Sequence, residues 1–265
     1  MQDKDPLATL AWLVEAGADE AIQETPVNRL KAPAPPPPVA PMRAPAAAPA
    51  STAAPVAGDN IGSAMATAAA ATNLAELKAA LESFEGSALK RMATNTVFAD
   101  GVAESRIMLI GEAPGRDEDR IGKPFVGRAG QLLDKMLASI GLDRSGNVYI
   151  TNVMNWRPPD NRDPSPEEAA SCLPFLRRHI ELASPQVIIL LGAVAARHVV
   201  GVSDGIMKLR GRWMEYRVGD RMVPLMPTLH PAYLLRQPSH KKLAWRDLQS
   251  VRDRIETLAG TRDAG

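Results

Sequence analysis

Glu112, Phe125, Asn152 and His230 are the side chains in this sequence whose types suit chemistry and whose surroundings repeat. Each stands in one of three polar loops marked by Gly or Pro: Gly111 to Gly130, Asn152 to Arg162, and Leu229 to Arg236. Each loop follows an apolar run. If those runs are parallel strands, all three loops open on one edge of a sheet, where α/β proteins hold their ligands. An acid, a flat aromatic face, an amide and an imidazole would then converge. A ring stacks on a planar heterocycle, an amide matches a donor–acceptor edge, and an acid with an imidazole supports hydrolysis. The set therefore points to recognition of a planar heterocycle followed by hydrolysis. Each residue also has a plain structural reading. Glu112 suits a helix cap, Phe125 a core, Asn152 an Asx turn, and His230 a cap before Pro231.

Other chemistries are less well served. Neither a GxGxxG nor a Gly-Lys-Ser/Thr phosphate loop occurs. Asp117, Glu118 and Asp119 are consecutive, and consecutive acids rarely point at one ion, so a solvated acidic turn is expected there and no metal site. Cys172 is the only cysteine, which excludes an internal disulfide and any metal centre built from several thiolates.

Positioning these loops requires strands. Arg106 to Gly111, Val148 to Val153 and Val187 to Leu191 are apolar runs that each end in a polar loop or a glycine. Trp213 to Tyr216 and Pro224 to Pro227 flank a turn at Gly219-Asp220, and Thr96 to Phe98 suits a short edge strand. Helices are expected at about Ala129 to Ile140, from the cap Ser165 with Pro166 to about Ala183, over Ala193 to Val200, and over Lys241 to Leu258. Strands alternating with helices predict an α/β fold with a mostly parallel sheet covered on both faces.

Composition divides the chain into three. Asp5 to Ile22 reads as a short amphipathic helix, within residues 1–30, that suits docking to a protein partner. Ala32 to Gly58 is almost only Ala and Pro, so residues 31–71 are expected to be a linker without packed structure. Asn73 to Glu76 resembles a capping box, and a folded domain is expected over 72–262. Residues 1–72 carry four Lys/Arg against seven Asp/Glu, which leaves 27 against 23 in the rest, a mildly basic domain. That balance permits a polyanionic partner without requiring one. No run approaches 18 apolar residues and the N-terminus lacks a signal-peptide pattern, so a cytoplasmic protein is expected.

Four blocks carry a specific resemblance. GEAPGRDEDRIGKPFVGRAGQLL, TNVMNWRPPDNRDPSPEEAASC, IILLGAVAA and HPAYLLRQPSHKKLAWRDL occur in the order and spacing seen in family 4 uracil-DNA glycosylases, and the match spans roughly Leu89 to Ile255. The resemblance implies a three-layer α/β/α sandwich around a central, mostly parallel four-stranded sheet. It implies hydrolysis of the N-glycosidic bond of uracil in DNA, by a nucleoid-associated monomer. Glu112 matches the family's catalytic acid and His230 the histidine at uracil O2. Gly111, Ala113, Phe125 and Asn152 match the base pocket, with Phe125 stacking and Asn152 reading the base edge. Glu118 is a candidate for positioning water. Pro231, Leu235 and Arg236 match the loop that enters DNA, and Lys241 and Lys242 are candidates for phosphate contacts. The covalent-trapping relatives carry a basic insertion that is missing between Gly111 and Gly130, so turnover is expected. The other reading is a module that binds uracil or abasic sites with little turnover.

The chain departs from that family at its iron–sulfur cluster. Of the four cysteine positions, Phe84, Ser87 and Trp156 occupy three and only Cys172 matches. One thiolate cannot hold a 4Fe–4S cluster, so no cofactor is expected.

Overall fold

The computed structural model describes residues 57–260. The region 5–22 and the Pro/Ala-rich stretch up to residue 56 lie outside the described residues. Six strands form one sheet: β1 (Asp100–Gly101), β2 (Ile107–Gly111), β3 (Tyr149–Asn152), β4 (Val187–Leu191), β5 (Met214–Val218) and β6 (Arg221–Thr228). Their order is β1-β3-β2-β4-β6-β5. The four inner strands are parallel, and β1 and β5 pair antiparallel at the two edges. The expected four-stranded sheet is thus the parallel core of a six-stranded one. The expected pair around Gly219-Asp220 is the β5–β6 hairpin, and β5 and β1 extend the parallel core at its two edges.

Alternation along the strands separates two cores. Met108, Ile110, Tyr149, Ile188, Leu190 and Leu225 point to one face. There they meet α1 (Ala57–Ala70), α2 (Leu74–Ser83), α5 (Pro166–Ala183) and α6 (Ala193–Val200). Ile107, Leu109, Ile150, Ile189 and Met226 point to the other. That face is covered by α4 (Arg128–Ala138), α8 (Pro231–Arg236) and α9 (Lys241–Gly260). Two short helices, α3 (Arg116–Ile121) and α7 (Ile206–Leu209), lie in connections. The result is the expected three-layer α/β/α sandwich.

Local chemistry explains the helix starts. Ser165 caps α5 by accepting from the Glu168 backbone N–H, while Glu168 reaches back to the Ser165 N–H, and Pro166 takes the first position. Asn73 caps α2 in the same way, but Glu76 turns back to Thr72, one residue earlier than the capping box expected.

Helix α1 corrects the linker boundary. Thirteen of the residues expected to be unpacked before Ala70 are helical with it, Ala57 through Ala69. After Pro55, the last proline of that stretch, the alanine run has strong helix propensity. Its small side chains let α1 lie close on its neighbours, burying Ala64 and Ala68, and Ala71 just beyond the helix end. Arg178 of α5 donates from Nε and Nη2 to the Ala71 carbonyl at 3.0 and 2.9 Å, which satisfies the helix end. Thr96 to Phe98 is also corrected, because the edge strand lies at Asp100–Gly101 instead. Val97 pairs with Asn155 through backbone and side chain, outside the β-ladder.

Candidate active site

The chain leaves β2 for its neighbour β3, then crosses back to β4 on the other side of β2. That reversal opens a crevice at the carboxyl ends of the strands, the place where open α/β sheets bind ligands. β2 ends at Gly111, β3 at Asn152, and β6 at Thr228, two residues before His230. Gly111 and Asn152 are register partners in the ladder. A cavity of about 170 Å³ lies here, lined among others by Ala113, Glu118, Phe125, Asn152 and His230. It is smaller than the ~300–1,000 Å³ pockets of drug-sized ligands, which suits a single ring.

Glycine makes this convergence possible. A Cβ on Gly111 would stand 2.4 Å from Asn152 Oδ1 and 2.5 Å from Phe125 Cζ, so a larger residue would displace one or both side chains. Phe125 itself has φ 53°, a left-handed conformation that is costly for an aromatic residue. It is buried, and its ring centroid lies 5.5 Å from that of His230. It belongs to the core on that face of the sheet and also lines the cavity.

Asn152 is 2% exposed, and its Oδ1 has no hydrogen-bond partner among the described residues. A buried amide oxygen left unpaired costs about 1–3 kcal/mol, and Asn152 lines the cavity, so a ligand donor that reached this oxygen would remove that cost. The Asx-turn reading has no support.

His230 caps α8: its Nδ1 accepts from the Ala232 backbone N–H at 3.1 Å. With Nδ1 accepting, the ring proton sits on Nε2, leaving that nitrogen a donor. Burial, helped by Arg236 and opposed by Glu118, pushes the imidazole down to about 4, so it is neutral at physiological pH. The cap reading is correct and compatible with a chemical role.

Glu112 does not line the cavity. It is half-buried, its backbone carbonyl accepts from the Met154 N–H at 2.9 Å, and its carboxyl is pushed above the usual range by burial and by Asp163, against the pull of Arg197.

The acidic run is the first turn of α3. Glu118 accepts from three backbone N–H groups, Val126 and Gly127 at 2.9 Å and Gly115 at 3.2 Å. Its carboxylate ties the two ends of the loop together, which leaves little of it for holding water. Asp119 is buried and accepts from the Thr94 and Asn95 N–H groups at 2.9 and 3.1 Å. Among the described residues no group of His, Cys, Asp and Glu could hold a metal ion.

The residues aligned with the cluster cysteines do not fit a cluster. Phe84, Trp156 and Cys172 belong to one apolar core, in which the Phe84 and Phe175 rings lie 5.1 Å apart. Trp156 is buried and donates from Nε1 to Thr96 Oγ1 at 2.9 Å. Burial pushes the Cys172 thiol up to about 11, far from the thiolate a metal needs.

The DNA-facing candidates divide. Pro231 is buried at the start of α8 and offers nothing to a partner, its role being to set the helix. Leu235 is 37% exposed, and Arg236, Lys241 and Lys242 are exposed as well. Sequence reasoning missed Ala129 and Ala232, which also line the cavity. It also missed Gly192, where a Cβ would come 3.1 Å from His230 Cβ. Small residues carry no chemical signal of their own, and only the fold shows what they leave room for.

Residues 98–249 match the model of the uracil DNA glycosylase superfamily. The type-4 uracil-DNA glycosylase of Thermotoga maritima is 42% identical over 166 residues, 62% of this chain and 84% of the relative. That of Archaeoglobus fulgidus is 42% identical over 167 residues, covering 62% and 83%. That of Sulfurisphaera tokodaii is 36% identical over 186 residues, covering 68% and 84%. The chain belongs to the uracil-DNA glycosylase superfamily, alongside its type-4 members.

Proposed function

We propose that this protein removes uracil from DNA by hydrolysing the N-glycosidic bond, leaving an abasic site. The observation that carries the proposal is the unpaired, buried Oδ1 of Asn152, a residue that lines a one-ring cavity together with Phe125 and the neutral His230. An amide with a free oxygen and an NH₂ matches the N3–H donor and O4 acceptor of uracil. Cytosine reverses that pattern, and a site left with unpaired polar groups rejects the wrong base strongly.

The base must first leave the helix, which costs a few kcal/mol and least at a mismatch. Leu235 acts as the apolar wedge that fills the gap, and Arg236, Lys241 and Lys242 bind phosphates around it. Phe125 stacks on the extruded ring. As the glycosidic bond lengthens, negative charge gathers on the base and positive charge on the sugar. The Nε2–H of His230 donates to uracil O2, and because the imidazole is neutral it stabilises the anion without protonating it. Glu112, whose side chain stands outside the base cavity, answers the sugar side by charge and by holding the attacking water. Glu118 keeps the loop closed around Gly115 and Gly127 rather than taking part in the reaction.

The test is a labelled oligonucleotide with one uracil, incubated with the protein and then treated with alkali. Uracil should be tried opposite G, opposite A and in a single strand. Strand cleavage at the uracil after alkali is expected; binding without cleavage refutes the enzyme reading.

A further inference from the structure

Arg144 lies in the turn between α4 and β3, outside the residues that line the base cavity. Its guanidinium is nearly saturated. Nη1 donates to the Pro124 carbonyl at 2.9 Å and Nη2 to the Phe125 carbonyl at 2.7 Å. The same group donates to Asp100 Oδ2 at 2.9 Å, and to Asp134 Oδ1 at 3.1 Å from Nε and 3.0 Å from Nη2. Lys123 pairs with the other oxygen of Asp100 at 3.0 Å. The Arg144 side chain is only 18% exposed, so these bonds are partly shielded from water.

Two of those partners are consecutive carbonyls of the stretch that presents Phe125. The backbone there is strained, at φ 53° on an aromatic residue, and strain of this kind persists only where surroundings over-determine it. One constraint is Gly130, where a Cβ would stand 1.7 Å from the Phe125 carbonyl oxygen. The first turn of α4 therefore rests directly on that peptide, and Arg144 holds the same oxygen. A planar fork holds two carbonyls in fixed directions, which a single ammonium cannot do.

We propose that Arg144 is a positioning residue for base recognition: it locks the strained Phe125 peptide so that the ring stands ready as the stacking wall before any base arrives. The inference rests on the functional reading above. It predicts that Arg144 acts on the base and the chemical step, with little effect on duplex affinity. Asp100 anchors the fork from the edge strand β1 and belongs to the same device. Asp134 is a half-exposed partner and should matter less.

The test compares R144M, R144K and D134N with the unaltered protein on a uracil oligonucleotide, below the melting temperature of each. Three quantities are read: the single-turnover excision rate, inhibition by free uracil, and the Kd for abasic duplex. R144M and R144K should each slow excision by about 10- to 100-fold and weaken uracil inhibition by a similar factor, the cost expected of a misplaced reactive contact. Abasic-duplex Kd should stay within about threefold, and D134N within about twofold on every measure. If R144M does not fold, R144K carries the comparison, because it keeps charge and stem while losing the fork. Excision and uracil inhibition both near wild-type values in R144K overturn the inference, as does a loss confined to duplex affinity. Failure of the unaltered protein to excise uracil overturns the functional reading itself, and this inference with it.

Discussion

His230 serves two purposes through two nitrogens, and a pair of substitutions separates them. Nδ1 caps α8 by accepting from the Ala232 N–H, while Nε2–H is the donor available to the base. Asparagine is a good helix cap and can accept that N–H, but its amide is too short to reach where Nε2 stands. His230→Asn should therefore keep the cap and lose the donor. Removing one preorganised donor to a developing anion costs about 3–4 kcal/mol, or roughly 10²–10³ in rate. His230→Ala should lose the same activity and, in addition, about 1 kcal/mol of stability from the missing cap. Single-turnover excision gives the first quantity and urea unfolding the second. The pH profile adds an independent check. With the imidazole held near 4, His230 does not change charge between about pH 6 and 8, so it contributes no slope there. A rate that drops about tenfold per pH unit above pH ~6.5, with the drop abolished in His230→Asn, would mean that the residue works as an imidazolium acid and that the neutral-donor reasoning is wrong. So would excision by His230→Asn within about threefold of wild type.

Three further outcomes follow from the same geometry. Asn152→Leu should cut excision by about 10²-fold or more, while urea unfolding shows stability unchanged or raised by about 1 kcal/mol, because the substitution removes a buried oxygen that has no partner in the free protein; marked destabilisation would contradict this. Gly111→Ala should abolish excision yet leave abasic-duplex binding intact, since its Cβ would come 2.4 Å from Asn152 Oδ1 and 2.5 Å from Phe125 Cζ and push both side chains out of place; normal turnover in this variant would mean that their placement does not depend on Gly111. Acid stability should report two neutral histidines, His179 buried and His230 half-buried. His179, stacked on Phe98 and bonded to Tyr149 Oη at 2.9 Å, is pushed by burial to about 3, and His230 to about 4. Folded values below the ordinary 6.5 mean that the unfolded chain binds protons first, so the stability is fully present above about pH 6.5 and is lost as pH falls toward 4 and 3. Each histidine contributes about 1.4 kcal/mol per pH unit within that window, and His179→Phe should remove one proton's worth of the slope in urea unfolding.

Much of this was legible in the sequence because it rests on short-range chemistry. The parallel strands announced themselves as apolar runs ending in polar loops, and Ser165-Pro166-Glu167-Glu168 specified the start of α5. The convergence of Phe125, Asn152 and His230 followed from placing each at the carboxyl end of a parallel strand. What stayed hidden depends on partners distant in the chain. The Ala-rich segment of α1 looked empty of anything to bury, yet its small side chains are what let it pack, and Arg178, far along the chain, completes it. Glu118 reads in sequence as a candidate for positioning water, and only the fold supplies the three backbone donors that occupy it. Arg144 carried no signal at all, being one arginine in a polar turn. Glu112, the acid the motif singles out, lies beside the cavity rather than in it. Pro231 sits in the expected DNA loop but is buried at the start of α8.

The central claim is catalysis and not capture alone, and turnover tests it most directly. DNA carrying radiolabelled uracil should be mixed with protein at about one-hundredth of the uracil concentration, and the free base separated and counted over time. The account predicts free uracil accumulating to many equivalents of protein, matched one for one by alkali-labile sites, with the release lost in Asn152→Leu. Release that stops at or below one equivalent, or tight binding with no free base, would contradict it.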